Sequence, residues 1–82
     1  MQEVIKQTII EALQTLGIEA GDFVVDHPTD KNTNADYFSN IALVVSKQLG
    51  KAPREVAIQL AGAISTNDFK VEVAGPGFLN FF

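Results

Sequence analysis

VEVAGPGFLNFF, residues 71–82, decides how this chain folds. Side chains alternate along a strand. Val71 and Val73 therefore share one face, and Lys70, Glu72 and Ala74 share the other. The charged face must be the wet one, so Val71 and Val73 point to the core. Gly75-Pro76-Gly77 is too short and stiff for anything but a tight turn or kink, which sends FLNFF back as another strand. In that strand Leu79 and Phe81 share a face, and Phe78, Asn80 and Phe82 share the opposite one. Asn80 is costly to bury without a partner, so Leu79 and Phe81 are the expected core residues. Phe78 and Asn80 then stand side by side on the open face, next to glycines that let another backbone approach closely.

An exposed ring with an amide two residues on fits the reading of an unstacked base. The ring stacks and the amide bonds the base edge. An aromatic at a strand end is more commonly core, or covered by a neighbouring domain. The residues alone leave both readings open.

Working outward, the spacing of Ile5, Ile9, Leu13 and Leu16, widened by Val4, Ala12 and Ile10, predicts an amphipathic helix over residues 2–16 with Gly17 as its stop. DFVVD predicts a strand around Phe23–Val25. HPTDKNTNAD is rich in turn formers and reads as a loop, after which DYF forms a short strand. SNIALVVSKQLG predicts a helix with Ile41, Val44, Val45 and Leu49 on its apolar face, Ser39 or Asn40 capping it and Gly50 ending it. APREVAIQLAGAI predicts a third helix, with Pro53 at its first position, Glu55 at the positive end of the dipole and a stripe of Val56, Leu60 and Ile64. STND breaks it. The order α-β-β-α-α-β-β predicts an α+β fold in which helices pack on one face of a small antiparallel sheet, giving two layers.

With 82 residues, 46% of them hydrophobic, the chain is long enough for one globular domain with a modest core. It has no Cys, which excludes a disulfide scaffold or a thiolate zinc site. No apolar run approaches the roughly 20 residues of a membrane span, and the start lacks a secretory pattern. A cytoplasmic location and a monomer are the expectations. The net charge of −4 argues against an autonomous nucleic-acid binder, which needs clustered Lys and Arg. Only Lys47, Lys51 and Arg54 lie close together, and three charges at a helix–helix corner are commonly just solvated surface.

Little else carries chemistry. His27 lies in a polar loop with no nucleophile at useful spacing, so a solvated His is expected. The ten acidic residues lack calcium-loop spacing, and AGPG lacks the pattern of a phosphate loop, so no metal or cofactor is expected. Asp36, Tyr37 and Asn40 form a second polar cluster, in which Asp36 and Asn40 are expected to satisfy backbone donors at the start of the second helix.

Three stretches carry a resemblance. VEVAGPGFLNFF resembles the close of the N-terminal additional domain of arginyl-tRNA synthetases, E-(V/I)-A-G-P-G-(F/Y)-(I/L)-N-(F/I). KAPREVAIQLAGAI resembles that domain's K-x-P-x-(E/Q)-(V/L)-A helix, and ADYFSNIALVVSKQLGK its G-D-(Y/F)-x-(S/T/A)-N stretch and the helix after it. The motifs run in the family's order over residues 35–82, and Asp36, Tyr37, Asn40, Pro53 and Pro76 are their fixed points. The departures are Ala35 for a glycine and Ala52 for a common Ser, the latter forfeiting a cap worth ~1 kcal/mol.

The resemblance implies that residues 1–82 form one accessory domain, with the catalytic domain continuing after Phe82. The H-I-G-H and K-M-S-K type signatures of that domain are not in this sequence. ATP and Mg would belong to the parent's catalytic domain. The domain itself would contact the D-loop corner of tRNA(Arg) without contributing a catalytic group. Carried over, the base-reading pair is Phe78 and Asn80, flanked by Gly75 and Gly77, with Lys51 and Arg54 as further tRNA-binding candidates. The competing class is a docking module whose open sheet face packs on another protein surface. Such a surface favours more apolar residues and has no need of the Asn80 amide.

Overall fold

The computed structural model describes residues 2–29, 34–64 and 69–82. The helix breaker expected at residues 65–68 lies outside them. Three helices and four strands follow the predicted order: α1 (Gln2–Thr15), β1 (Val25–Asp26), β2 (Tyr37–Ser39), α2 (Ile41–Leu49), α3 (Pro53–Ala63), β3 (Val71–Ala74) and β4 (Phe78–Phe81). The strands form one sheet in the order β1-β2-β4-β3, every pair antiparallel. The fold is α+β.

Helix α1 buries Ile5, Ile9, Ala12 and Leu13. It ends where Gly17 takes a φ of 72°. The Gly17 N–H then donates to the Gln14 carbonyl at 3.1 Å and the Ile18 N–H to the Leu13 carbonyl at 2.8 Å. These two bonds satisfy carbonyls the helix end leaves free, and they need the left-handed residue between them. Val4 and Leu16, expected on the apolar stripe, are exposed. Val4 lies off the stripe centred on Ile5, Ile9 and Leu13, and Leu16 comes after the last helical residue.

Strand β1 starts two residues later than expected. The Val24 N–H donates to Asn40 Oδ1 at 2.8 Å instead of entering the ladder, and the first paired residues are Val25 and Ser39. Val24 is exposed, while Phe23 packs against the core from outside the strand. This use of Asn40 overturns its expected capping role, and α2 has no side-chain hydrogen bond from its N-cap. Ser39 takes that role, its Oγ accepting from the Ile41 N–H at 3.2 Å. Asp36 does not serve α2 either. It sits at the other end of β2, where its backbone N–H donates to the Phe81 carbonyl. The buried face of α2 is Ile41, Ala42, Val45 and Ser46, and Leu49 is exposed. Ser46 is tolerated there because its hydroxyl donates to the Leu43 carbonyl.

Helix α3 starts from Ala52, which makes no side-chain cap, and buries Val56, Ala57 and Leu60. All three helices contribute to one core cluster with Val25, Leu79 and Phe81 of the sheet. The sheet's core face is fixed by register. Val25, Ser39, Leu79 and Val73 form one row across the four strands, and Tyr37, Phe81 and Val71 form the next. Among the described residues, all three helices join this core, and none is placed on the opposite face.

Candidate nucleic-acid interface

The register places Asp26, Phe38, Asn80 and Glu72 in one row across the open face. Asn80 stands in the middle, with Phe38 on one side and Glu72 on the other. It is half-buried, and its side-chain amide makes no hydrogen bond to a described residue. Glu72 is engaged by Lys70 at 3.2 Å. Leu79 and Phe81 are fully buried on the other face. The face assignment read from the alternation therefore agrees with the structure.

Phe78 lies one step along the same face, opposite Ala74. On the β3 side the ring borders the small Ala74 side chain and Gly75, where a Cβ would lie 3.8 Å from Phe78 Cδ2. On the other side its ring meets Phe38, with centroids 6.0 Å apart and planes at 66°. This edge-to-face arrangement brings a positive ring edge to a negative ring face. Pro28 and Thr29, just past β1, complete a groove of about 230 Å³ with the two rings.

The turn that presents Phe78 is held from two directions. Gly75 takes a φ of 56°, which a primed hairpin turn demands, and the Gly77 N–H donates to the Ala74 carbonyl at 3.4 Å. Arg54 Nη1, reaching from the first turn of α3, donates to the Gly75 carbonyl at 2.7 Å. Gly77 is buried and has a φ of 152°. A Cβ on it would lie 2.6 Å from Pro53 Cβ. The backbone that Gly77 admits is thus the chain's own, at the start of α3. Pro76 sits between Gly75 and Gly77 in a trans peptide.

Among the other sequence candidates, Arg54 joins the turn, while Lys47 and Lys51 are exposed on the α2–α3 corner and make no side-chain bond to a described residue. Tyr37 points to the core side and stacks with His27 at a centroid distance of 4.5 Å. His27 is exposed but not simply solvated, because its Nδ1 also donates to the Asp36 carbonyl at 3.1 Å. A larger cavity of about 330 Å³ opens beside this pair, walled by Ile5, Tyr37, Phe69 and Phe81. It is an edge of the hydrophobic core. Its polar lining is His27 and Asp36, and the His27 Nδ1 is already bonded to the Asp36 carbonyl. Ala35 stands where a glycine is usual in the resembling motif, and its φ is not positive, so the turn asks nothing special of it.

Sequence reasoning missed Phe38 and the Pro28–Thr29 wall. The alternation in DYFS carries the signal for Phe38, since Tyr37 and Ser39 facing in puts Phe38 out. Its juxtaposition with Asn80 depends on the pairing of β2 with β4, which is non-local.

Comparison with known proteins identifies the family and the fold. The family model for the arginyl tRNA synthetase N terminal domain matches residues 2–82. The chain is 43% identical, over 86 aligned positions, to the arginine–tRNA ligase of Chlorobium limicola, covering all of this chain and 15% of that protein. It is 41% identical over 91 positions to the Pseudomonas aeruginosa enzyme, again covering all of the chain and 15% of the relative. The chain thus spans about 15% of the length of the curated relatives it matches. Among solved structures it resembles Thermus thermophilus arginyl-tRNA synthetase, with a TM-score of 0.78 and 28% identity over 99% of this chain and 13% of that one. By sequence and by fold, the chain belongs to the arginyl-tRNA synthetase N-terminal domain family.

Proposed function

We propose that this chain is the tRNA-contacting accessory domain of an arginine–tRNA ligase. Phe78 stacks on an unpaired base of the D-loop corner of tRNA(Arg), and Asn80 reads that base's edge. Residues 1–82 act as one domain, and the enzyme's catalytic domain follows Phe82. ATP and Mg serve that domain, which activates arginine and transfers it to the tRNA. The domain described here adds selection and orientation at a distance. It works in the cytoplasm, and as a monomer.

The observation that carries the reading is the half-buried Asn80, whose amide bonds no described residue, in the centre of an open sheet face, one step from the Phe78 ring and beside Phe38. A base has a π-face for the ring and donors and acceptors for the amide. Charge favours base contact over phosphate contact. Asp26 and Glu72 stand at the two ends of the row, and the net charge is −4. Two cations stand beside the reading residues, and both are engaged: Lys70 with Glu72, and Arg54 with the Gly75 carbonyl. Gly75 and Gly77 shape the turn, and Lys51 and Arg54 contribute positive charge to the adjoining phosphates.

The test uses the full-length ligase. Phe78→Ala is expected to weaken tRNA binding by roughly 1–3 kcal/mol, the scale of one lost base stack. Arginyl-adenylate formation, followed by pyrophosphate exchange, is expected to be unchanged. Parent-like tRNA affinity in a folded Phe78→Ala enzyme would shift the open face to the protein-docking reading.

A further inference from the structure

We infer that Phe38 is a positioning residue of the same site, forming with Phe78 a two-walled slot that admits one flipped-out base. This rests on the base-reading role proposed for Phe78 and Asn80. Phe38 is the direct cross-strand neighbour of Asn80, so the two side chains rise from the sheet a few ångströms apart. Its ring packs against Phe78 at 66°. The two rings therefore make an L in section, and Asn80 stands next to Phe38 in the neighbouring strand. A planar base lying on Phe78 meets Phe38 with its rim and offers its polar edge to Asn80.

The dimensions select the occupant. The groove bounded by Pro28, Thr29, Phe38 and Phe78 is shallow and open to solvent, with a volume of about 230 Å³. That is room for one heterocyclic base. A peptide helix is roughly 10–12 Å across and does not enter such a space. The walls are stiff as well. Pro28 has a fixed φ, and Phe38 holds the Phe78 ring from the side, so little side-chain freedom remains to be lost when a base arrives. Phe38 thereby sets how far the base slides along Phe78, and hence which of its edge atoms Asn80 meets.

The experiment measures dissociation constants of full-length ligase for tRNA(Arg) and for a set of the same tRNA carrying single abasic sites along the D-loop. The variants are Phe38→Ala, Phe38→Leu and Phe78→Ala. Phe38→Ala is expected to weaken binding of intact tRNA on the order of 2- to 12-fold, the scale of an aromatic pair. The loss is expected to vanish at the one abasic position where the Phe78→Ala loss also vanishes. Phe38→Leu keeps apolar bulk without the ring and is expected to show a smaller loss at the same position; it decides the matter alone if Phe38→Ala does not fold. If Phe78→Ala loses affinity while the Phe38 variants bind like the parent, the slot has one wall and this inference fails. A Phe38 loss that persists equally at every abasic position makes the residue merely structural, and also overturns it. If Phe78→Ala itself binds like the parent, the underlying base-reading role fails instead.

Discussion

At Gly77 the backbone and its surroundings both exclude a side chain. The φ of 152° is disfavoured for any residue with a Cβ, and Pro53 occupies the space that a Cβ would take. Gly77→Ala is therefore expected to cost the 82-residue chain about 2 kcal/mol or more, from backbone strain and overpacking together. In a domain of this size that lowers Tm by roughly 10 °C or more, readable by circular dichroism. An unchanged Tm would mean that the turn does not press on α3. Gly50 and Gly17 also have positive φ, yet a Cβ on either would meet nothing within 4 Å, so space is not their constraint. The sequence made the Gly-Pro-Gly turn legible. It did not show which backbone comes close, because residues 53 and 77 meet only in the folded chain. His27 was opaque for the same reason, since its partners Asp36 and Tyr37 lie across a loop.

The hairpin of β3 and β4 was the most legible element, because period-2 alternation fixes both faces once the polar set is known. Leu79 and Asn80 are adjacent in β4 but face opposite ways. Leu79→Ala is expected to destabilise the chain by about 2–5 kcal/mol. Asn80→Ala, which breaks no hydrogen bond to a described residue, is expected to stay within ~0.5 kcal/mol. Urea denaturation of the two variants checks this, and comparable losses in both would invert the face assignment. The short strands were harder. β1 is two residues long, and its bounds follow from where the Val24 N–H goes, a choice made by Asn40 sixteen residues away. In α2 the apolar residues outnumber the positions facing the core, so pattern alone did not separate Leu49 from Ala42 and Ser46.

On the scale of the whole molecule, shape and charge point different ways. The sheet offers an uncovered face with a ring and an amide, while a net charge of −4 opposes association with a polyanion. On the proposed reading, a domain so built selects among tRNAs that a larger enzyme already holds. The 82-residue chain alone is accordingly expected to bind tRNA weakly and with a shallow salt dependence, since few phosphates are neutralised. A titration at two ionic strengths checks this, and a steep slope would mean that Lys47, Lys51 and Arg54 form a true phosphate site. The central claim, that this face reads a base, is tested most directly by steady-state aminoacylation with full-length parent and Asn80→Ala ligase. The substrates are four tRNA(Arg) species that differ only at the contacted D-loop base. The account predicts that the parent ranks the four by kcat/KM and that Asn80→Ala flattens the ranking while adenylate formation is unchanged, because edge hydrogen bonds carry base identity and stacking does not. A folded Asn80→Ala enzyme that keeps the parent's ranking in order and in size would contradict it.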